Sequence, residues 1–330
     1  MFTGKRILIT GGSGSWGNEL TTQLLEKDPE EIRILSRGEF AQVTMKRKFN
    51  DDRLTFIIGD VRNYSSLKKA FRNIDHIFHL AALKHVPICE DQPLEALETN
   101  VKGTKNVIKA AIANDVTKVI DVSTDKAVDP LNFYGMTKAI GERLIIHANK
   151  ISDYTKFICI RAGNVLGTAG SVVPFFIDTI KRFNNITLTD KRMTRFFTTL
   201  SNAIGLLFKA AEKSIGGETF VEQMPSFKLT DLAQVLIEKY GNENTEVIEI
   251  GSRPGEKIDE VLVSKYEVPN AYEYDDDYYL VLPFLYIDGL KDYYKDYNLK
   301  KVKFDEYNSR IRLCDKEKLR ELLKLGGFID

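Results

Sequence analysis

The chain has 330 residues, 43% of them apolar and 28% charged, enough to bury a sizeable core and too apolar for global disorder. Lys plus Arg and Asp plus Glu both number 47, so the formal charge is zero, and a generic nucleic-acid binder, which needs a basic surface, is not expected. Cys89, Cys159 and Cys314 are too scattered for a disulfide framework or a metal site, and no apolar run of about 18 residues predicts a membrane span, so a cytoplasmic protein with reduced thiols and no membrane partner is expected.

A first strand is expected at 5–10, running into Thr10-Gly11-Gly12-Ser13-Gly14-Ser15-Trp16-Gly17 and a helix at 16–27. Gly11, Gly14 and Gly17 give the spacing GxxGxxG. Glycine permits the tight turn and lets backbone N–H groups approach a pyrophosphate at the helix N-terminus. Between a first strand and a first helix the triplet reads as a dinucleotide site, with Ser13, Ser15 and Trp16 in the same turn. A second strand at 31–36 ends Leu35-Ser36-Arg37. An NAD site usually places Asp or Glu here. A hydroxyl and a guanidinium suit a 2′-phosphate, so NADP is favoured over NAD.

A helix is expected at 39–48 and a strand at 54–58, followed by Gly59-Asp60-Val61. Asp60 either accepts from the adenine amino group or caps the next helix, at 64–72. The strand at 75–80 leads into Ala81-Ala82-Leu83-Lys84-His85. Lys84 lies at the cofactor edge and faces either the nicotinamide ribose or the substrate. His85 has no visible acid–base partner and reads as a packing or interface residue. A helix at 93–114 carries Asn100, and the strand at 117–123 ends Ser123-Thr124-Asp125-Lys126. The helix at 133–150 opens Tyr134-Gly135-Met136-Thr137-Lys138, which puts Tyr134 and Lys138 on one face. A neighbouring ammonium lowers a tyrosine pKa and makes the phenolate a usable base. A sixth strand is expected at 156–161.

This βαβα rhythm, with nearly continuous apolar strands, predicts an α/β fold: a doubly wound parallel Rossmann sheet with a smaller α/β substrate-binding lobe. The expected division is residues 1–162 for the dinucleotide-binding domain, with returning segments from the second half, and 163–330 for the lobe and C-terminal segment. Helices are expected at 172–184, 200–213 and 229–240, and strands at 218–221 and 246–250. The acidic, aromatic stretch 272–279 reads as a solvated loop or an interface. Residues 316–325 read as an amphipathic helix.

The GxxGxxG turn, Asp60, Ala81-Ala82, Asn100, Thr124, Tyr134 and Lys138 together resemble the extended short-chain dehydrogenase/reductase superfamily, over nearly the whole chain. The resemblance implies that Tyr134 draws a proton from a sugar hydroxyl as hydride moves to the nicotinamide, while Lys138 orients the ribose and tunes Tyr134. It makes Asn100 a structural residue. Sugar-nucleotide 4,6-dehydratases of the dTDP-glucose type carry Asp-Glu after this Thr. Ser-Thr-Asp-Lys-Ala, as at 123–127 here, resembles the UDP-N-acetylglucosamine 4,6-dehydratases. Residues 81–87, 163–167, 170–174, 193–196 and 253–257 are similar to the 5-inverting group of that family. Membrane-bound members replace the Tyr by Met, so the chain resembles the short soluble type.

The resemblance implies a UDP-sugar substrate, loss of water across carbons 5 and 6, and a homo-oligomer. Asp125 would protonate the leaving carbon-6 hydroxyl and Lys126 would act as the carbon-5 base. A lysine base needs a lowered pKa; burial and Lys138 favour that shift and Asp125 opposes it. Arg195 and Arg253 are candidate forks for the UDP pyrophosphate, Glu256 for the uridine ribose, and Asn164 and Val172 for further substrate contact. Two positions depart from the family pattern: Ala162 stands where a Tyr is usual, and Ala169 where an Arg is usual. The rival readings are a UDP-sugar 4-epimerase or reductase and a non-catalytic dinucleotide-sensing protein.

Overall fold

The computed structural model describes residues 1–168 and 170–330; Ala169 lies outside the described residues. Six strands of the first half, β1 (Arg6–Thr10), β2 (Glu31–Ser36), β3 (Leu54–Ile58), β4 (His76–His79), β5 (Lys118–Thr124) and β6 (Lys156–Ala162), pair in parallel in the order β3-β2-β1-β4-β5-β6. The order reverses between β1 and β4, so a crevice opens beyond their carboxyl ends, where doubly wound sheets take ligands. The strands are apolar on both faces because both are covered. Ile7 and Ile9 pack with Leu20 and Leu24 on one side. Leu8 packs with Val107 and Val119 on the other.

The connecting helices are α1 (Ser15–Leu25), α2 (Glu39–Phe49), α3 (Tyr64–Ala70), α4 (Val86–Asp91), α5 (Pro93–Ala96), α6 (Gly103–Ile112) and α7 (Phe133–Ala148). The single helix expected at 93–114 is interrupted: Leu97–Lys102 forms a π-turn between α5 and α6. Such an insertion re-aims the side chains of the turn, and it often marks a functional site. α4 has no counterpart in the sequence expectation.

The second half contributes β7 (Asn164–Val165), α8 (Val172–Phe183), β8 (Asn185–Leu188), β9 (Thr194–Thr198), α9 (Leu200–Lys213), β10 (Thr219–Glu222), β11 (Ser226–Lys228), α10 (Leu229–Tyr240) and β12 (Glu246–Glu249). It ends with β13 (Val261–Val263), β14 (Ala271–Glu273), β15 (Tyr278–Val281), α11 (Leu290–Lys295), β16 (Lys300–Lys301), β17 (Tyr307–Asn308) and α12 (Lys316–Leu325). β10 joins β6 in parallel, and β15, β14 and β16 extend the sheet to ten strands. The stretch 272–279, read as a loop or interface, is therefore mostly a hairpin. Leu280 and Ala271 are buried in its strands, while the charges cluster at the Tyr274–Asp277 turn. β11-β9-β7, β12-β8 and β13-β17 form small separate sheets. α12 is amphipathic: Asp315 Oδ1 caps it by accepting from Lys318 N at 2.9 Å, and Leu319, Leu322 and Leu323 are buried against the second-half core. No described helix is long and apolar enough to cross a membrane.

Candidate active site

A cavity of about 1150 Å³ lies along the carboxyl ends of the parallel strands and runs into the second half. Its first wall is the glycine turn. Gly11 has φ +68°, and a Cβ there would meet Ala81 Cα at 2.9 Å. A Cβ on Gly17 would meet the Gly12 carbonyl oxygen at 2.1 Å, so only glycine lets α1 start this close to the turn. Gly14 is the N-cap of α1 and supplies no side chain, so backbone alone presents the helix end to the cavity.

Ser13 Oγ donates to Ser36 Oγ at 2.9 Å, and Gln42 Nε2 donates to the same oxygen at 2.9 Å. Ser36 therefore accepts twice and keeps its own proton to donate outward. Arg37 stands exposed beside it on the cavity wall. Asp60 lines the same end but does not cap the next helix. Asn63 does, its Oδ1 accepting from Ser66 N at 3.1 Å. Asp60 instead pairs with Arg62 at 2.7 Å, which outweighs the upward push of burial and holds its carboxyl below the usual range. Trp16, Ser15, Val61, Ala82 and Lys84 also line the cavity.

Asn100, in the π-turn, accepts from Leu83 N at 2.8 Å and donates to the Leu83 carbonyl and Thr137 Oγ1, each at 2.9 Å. It is a structural clamp between the strand-four loop and α7. The adjacent Thr99 and, on β5, Ser123 each carry a buried hydroxyl without a protein partner, and both residues line the cavity. A glycine cradle, a helix end, an outward Ser36 proton, a cation at the ribose end and two orphan hydroxyls fit a dinucleotide.

Tyr134 and Lys138 lie on the inner face of α7, both buried. Lys138 Nζ is 3.5 Å from Asp121 Oδ2 on β5. Behind Asp121, His79 hydrogen-bonds with Thr10 Oγ1 at 2.7 Å, and burial pushes its pKa down to about 4, so it is neutral. Burial raises the Tyr134 phenol more than Lys138, Lys126 and a Thr124 hydrogen bond lower it. The expected net lowering is thus not what these residues produce by themselves. Desolvation opposes the phenolate, and the ammonium offsets only part of it.

Thr124 Oγ1 donates to Asp125 Oδ1 at 2.8 Å. Lys126 Nζ lies 3.1 Å from that same oxygen and 3.4 Å from Glu260 Oε1. Burial alone would push Lys126 down, but Asp125 and Glu260 reverse it, and the net direction is upward. The lowered pKa sought for a lysine base is therefore absent in this arrangement: two carboxylates hold the ammonium.

The second half closes the cavity. Arg195 lines it, but its guanidinium is committed to backbone: Nη1 donates to the Thr194 and Ile258 carbonyls at 2.7 and 3.0 Å, and Nη2 to Lys257 at 3.0 Å. It is not the open pyrophosphate fork expected from sequence. Arg253 is exposed on the wall, only loosely paired with Glu256 at 3.9 Å. Asn164, Val172 and Glu256 line the cavity, as does Ala162, the first departure from the family pattern. Ala169, the second, lies outside the described residues. His85 is exposed on the cavity wall, where a Cβ on Gly170 would meet its Cε1 at 2.3 Å.

Sequence reasoning missed Glu260, Asp121, Thr99 and Lys257. Asp121 is a polar residue inside an apolar strand, a visible signal. Glu260 has none, because its meaning comes from Lys126, which is remote in sequence.

The profile of the family described as polysaccharide biosynthesis protein matches residues 7–282. A protein of Methanocaldococcus jannaschii described as an uncharacterized membrane protein is 42% identical over 333 residues, covering 98% of this chain and 97% of its own. A Rickettsia rickettsii protein named UDP-glucose 4-epimerase is 41% identical over 336 residues, covering 100% of this chain and 98% of its own. The crystal structure of Pen from Bacillus thuringiensis superposes with a TM-score of 0.92 at 40% identity, covering all of both chains.

Proposed function

The chain belongs to the polysaccharide biosynthesis protein family, within the extended short-chain dehydrogenases/reductases, and on that premise we propose that it is an NADP-dependent UDP-N-acetylglucosamine 4,6-dehydratase that inverts carbon 5. One observation carries the reading. Beside Tyr134 and Lys138, Lys126 lines the same cavity, and the buried Asp125 stands behind it with Oδ1 3.1 Å from the ammonium, a second acid–base pair. Epimerisation at carbon 4 needs only the first pair; elimination of water needs the second.

The nicotinamide dinucleotide, when bound, supplies reversible hydride storage. Gly11, Gly14 and Gly17 with the end of α1 would hold its pyrophosphate, and Ser36 and Arg37 would take the 2′-phosphate. Tyr134 takes the carbon-4 hydroxyl proton, aided by Lys138 and Thr124. The resulting ketone acidifies the carbon-5 proton. Asp125 protonates the leaving carbon-6 hydroxyl and Lys126 handles the carbon-5 proton on the opposite face. Arg253 faces the UDP diphosphate, and Glu256, Asn164, Val172 and Lys84 contact the substrate. Residues 1–162 act as the cofactor domain and 163–330 as the substrate lobe of a cytoplasmic homo-oligomer without metal, membrane or nucleic-acid partners.

The test is mass spectrometry of UDP-N-acetylglucosamine incubated with purified protein and no added reductant. Loss of one water supports the dehydratase. The names of the Rickettsia relatives favour a 4-epimerase as the second reading. An unchanged mass with an altered carbon-4 configuration would establish that instead.

A further inference from the structure

We propose that Glu260 is the positioning residue of the elimination stage, the counter-ion that stabilises the Lys126 ammonium as it forms from the carbon-5 proton. The inference rests on the dehydratase reading above and adds a residue from the second half to it. Glu260 is buried on the cavity wall, with Oε1 3.4 Å from Lys126 Nζ and 3.6 Å from Arg195 Nε. Its Oε2 is enclosed and has no protein hydrogen-bond partner. Asp125 Oδ2 is likewise enclosed and unpartnered. The Glu260 backbone is fixed on both sides, its N–H donating to Ser309 Oγ at 3.0 Å and its carbonyl accepting from Ser309 N at 2.9 Å. A carboxylate held this rigidly, with an unused oxygen, is suited to a charge that appears beside it.

The proton inventory gives it that task. Passing one proton from Lys126 Nζ to Asp125 Oδ1, 3.1 Å away, creates a neutral amine and a carboxylic acid together. Both reagents of the elimination are then armed. The amine takes the carbon-5 proton, and that C–H electron pair passes through the enolate of the 4-ketone into the new C5=C6 bond. The C6–O bond breaks, its pair leaving on oxygen, and Asp125 gives that oxygen its proton to release water. The site is then carboxylate, ammonium, carboxylate, the arrangement the structure displays. Asp125 alone cannot neutralise both the ammonium and the developing charge on oxygen. Glu260 holds the ammonium in place from its other side, 3.4 Å away. The other charged or titratable groups around Lys126 are Arg195 and Lys257, which oppose its charge, and the Tyr134 phenol.

The experiment compares the full-length parent with Glu260→Gln and Glu260→Asp. Glu260→Gln should still form reduced cofactor in a single turnover but release water at least about 100-fold more slowly, with KM within a few-fold. Glu260→Asp should recover part of kcat. The titration of Lys126, followed by NMR of ε-¹³C-lysine and assigned with Lys126→Arg, should move to lower pH in Glu260→Gln. Turnover of Glu260→Gln near the parent rate, loss of the reduced-cofactor signal along with water release, or an unmoved Lys126 titration would each overturn the inference. If Glu260→Gln does not fold, a parent-like kcat and Lys126 titration in Glu260→Asp would overturn it too. If the parent removes no water while the Lys126 titration still moves, the dehydratase reading fails and the Glu260–Lys126 coupling stands.

Discussion

Asn132 Nδ2 donates to the Gly255 carbonyl at 3.0 Å, joining residues 123 positions apart. Asn132 Oδ1 also accepts from Gly135 N at 2.8 Å and so caps α7, the helix that carries Tyr134 and Lys138. Close by, Lys257 Nζ donates to the Val128 carbonyl. The loop after β5 is thereby tied to the segment that ends in Glu260.

Asn132→Ala removes a helix cap and the bond to the Gly255 carbonyl together. A lost cap costs about 1 kcal/mol and a part-buried carbonyl left unpaired about 1–3 kcal/mol. The variant should lose roughly 2–4 kcal/mol in urea unfolding. An unchanged midpoint and slope would show that the tie contributes nothing.

Arg37→Ala should erode a preference for NADP over NAD. A charge-assisted contact to a phosphate is worth about 1.5–3 kcal/mol, so NADP affinity should drop roughly 10- to 100-fold while NAD affinity changes little. Equal affinities in parent and variant, or NAD alone recovered from the denatured protein, would remove Arg37 from the cofactor site.

Tyr134→Phe and Asp125→Asn should fail at different points. The first should give no transient reduced-cofactor absorbance. The second should give the absorbance and then stall, with water loss slowed by ~100- to 10,000-fold. Because burial raises the Tyr134 phenol, the oxidation rate in the parent should climb with pH as the phenolate becomes populated. A flat profile would contradict the assignment of Tyr134 as base.

In deuterium oxide the product should carry deuterium at carbon 5 and show the ring couplings of the L-arabino isomer. Lys126→Ala should reduce cofactor without releasing water. A D-xylo product would refute inversion and direct attention to Ala162; normal turnover by Lys126→Ala would remove Lys126 from the chemistry.

Glu222, at the end of β10, is buried and accepts from Thr198 Oγ1 at 2.8 Å. Burial pushes its carboxyl up to about 7, against 4.5 for the ordinary group. The folded state therefore holds a proton that the unfolded chain releases first, so stability falls as pH rises from about 4.5 to about 7. The loss amounts to roughly 3 kcal/mol. Glu222→Gln should gain on the parent at pH 8 and differ little at pH 4. Equal thermal midpoints at pH 8 would show that the carboxyl ionises without cost.

The parallel strands were legible because two-sided burial writes them as apolar runs: β2 and β3 span the expected residues, and β1 and β6 differ by one at an end. The glycine turn and the Tyr134–Lys138 pair were legible because their geometry is local. The π-turn at Leu97–Lys102 was not, since one extra residue in a helix leaves the composition of the segment helical. The β14–β15 hairpin was hidden by the acidic residues of its turn. Arg195 was read as a ligand contact because sequence shows a guanidinium but not the three carbonyls that occupy it.

The division of labour across the cavity bears on how such chains diverge. Under the proposed dehydratase mechanism, the oxidation group, Tyr134, Lys138 and Asp121, lies wholly on β5 and α7. The elimination group borrows Glu260 from the far half, and Arg195 beside it. On that mechanism, substitutions confined to 195–260 would retire one reaction stage and spare the other. A lineage could drift between water loss and simple inversion at carbon 4 without ever rebuilding its cofactor cradle.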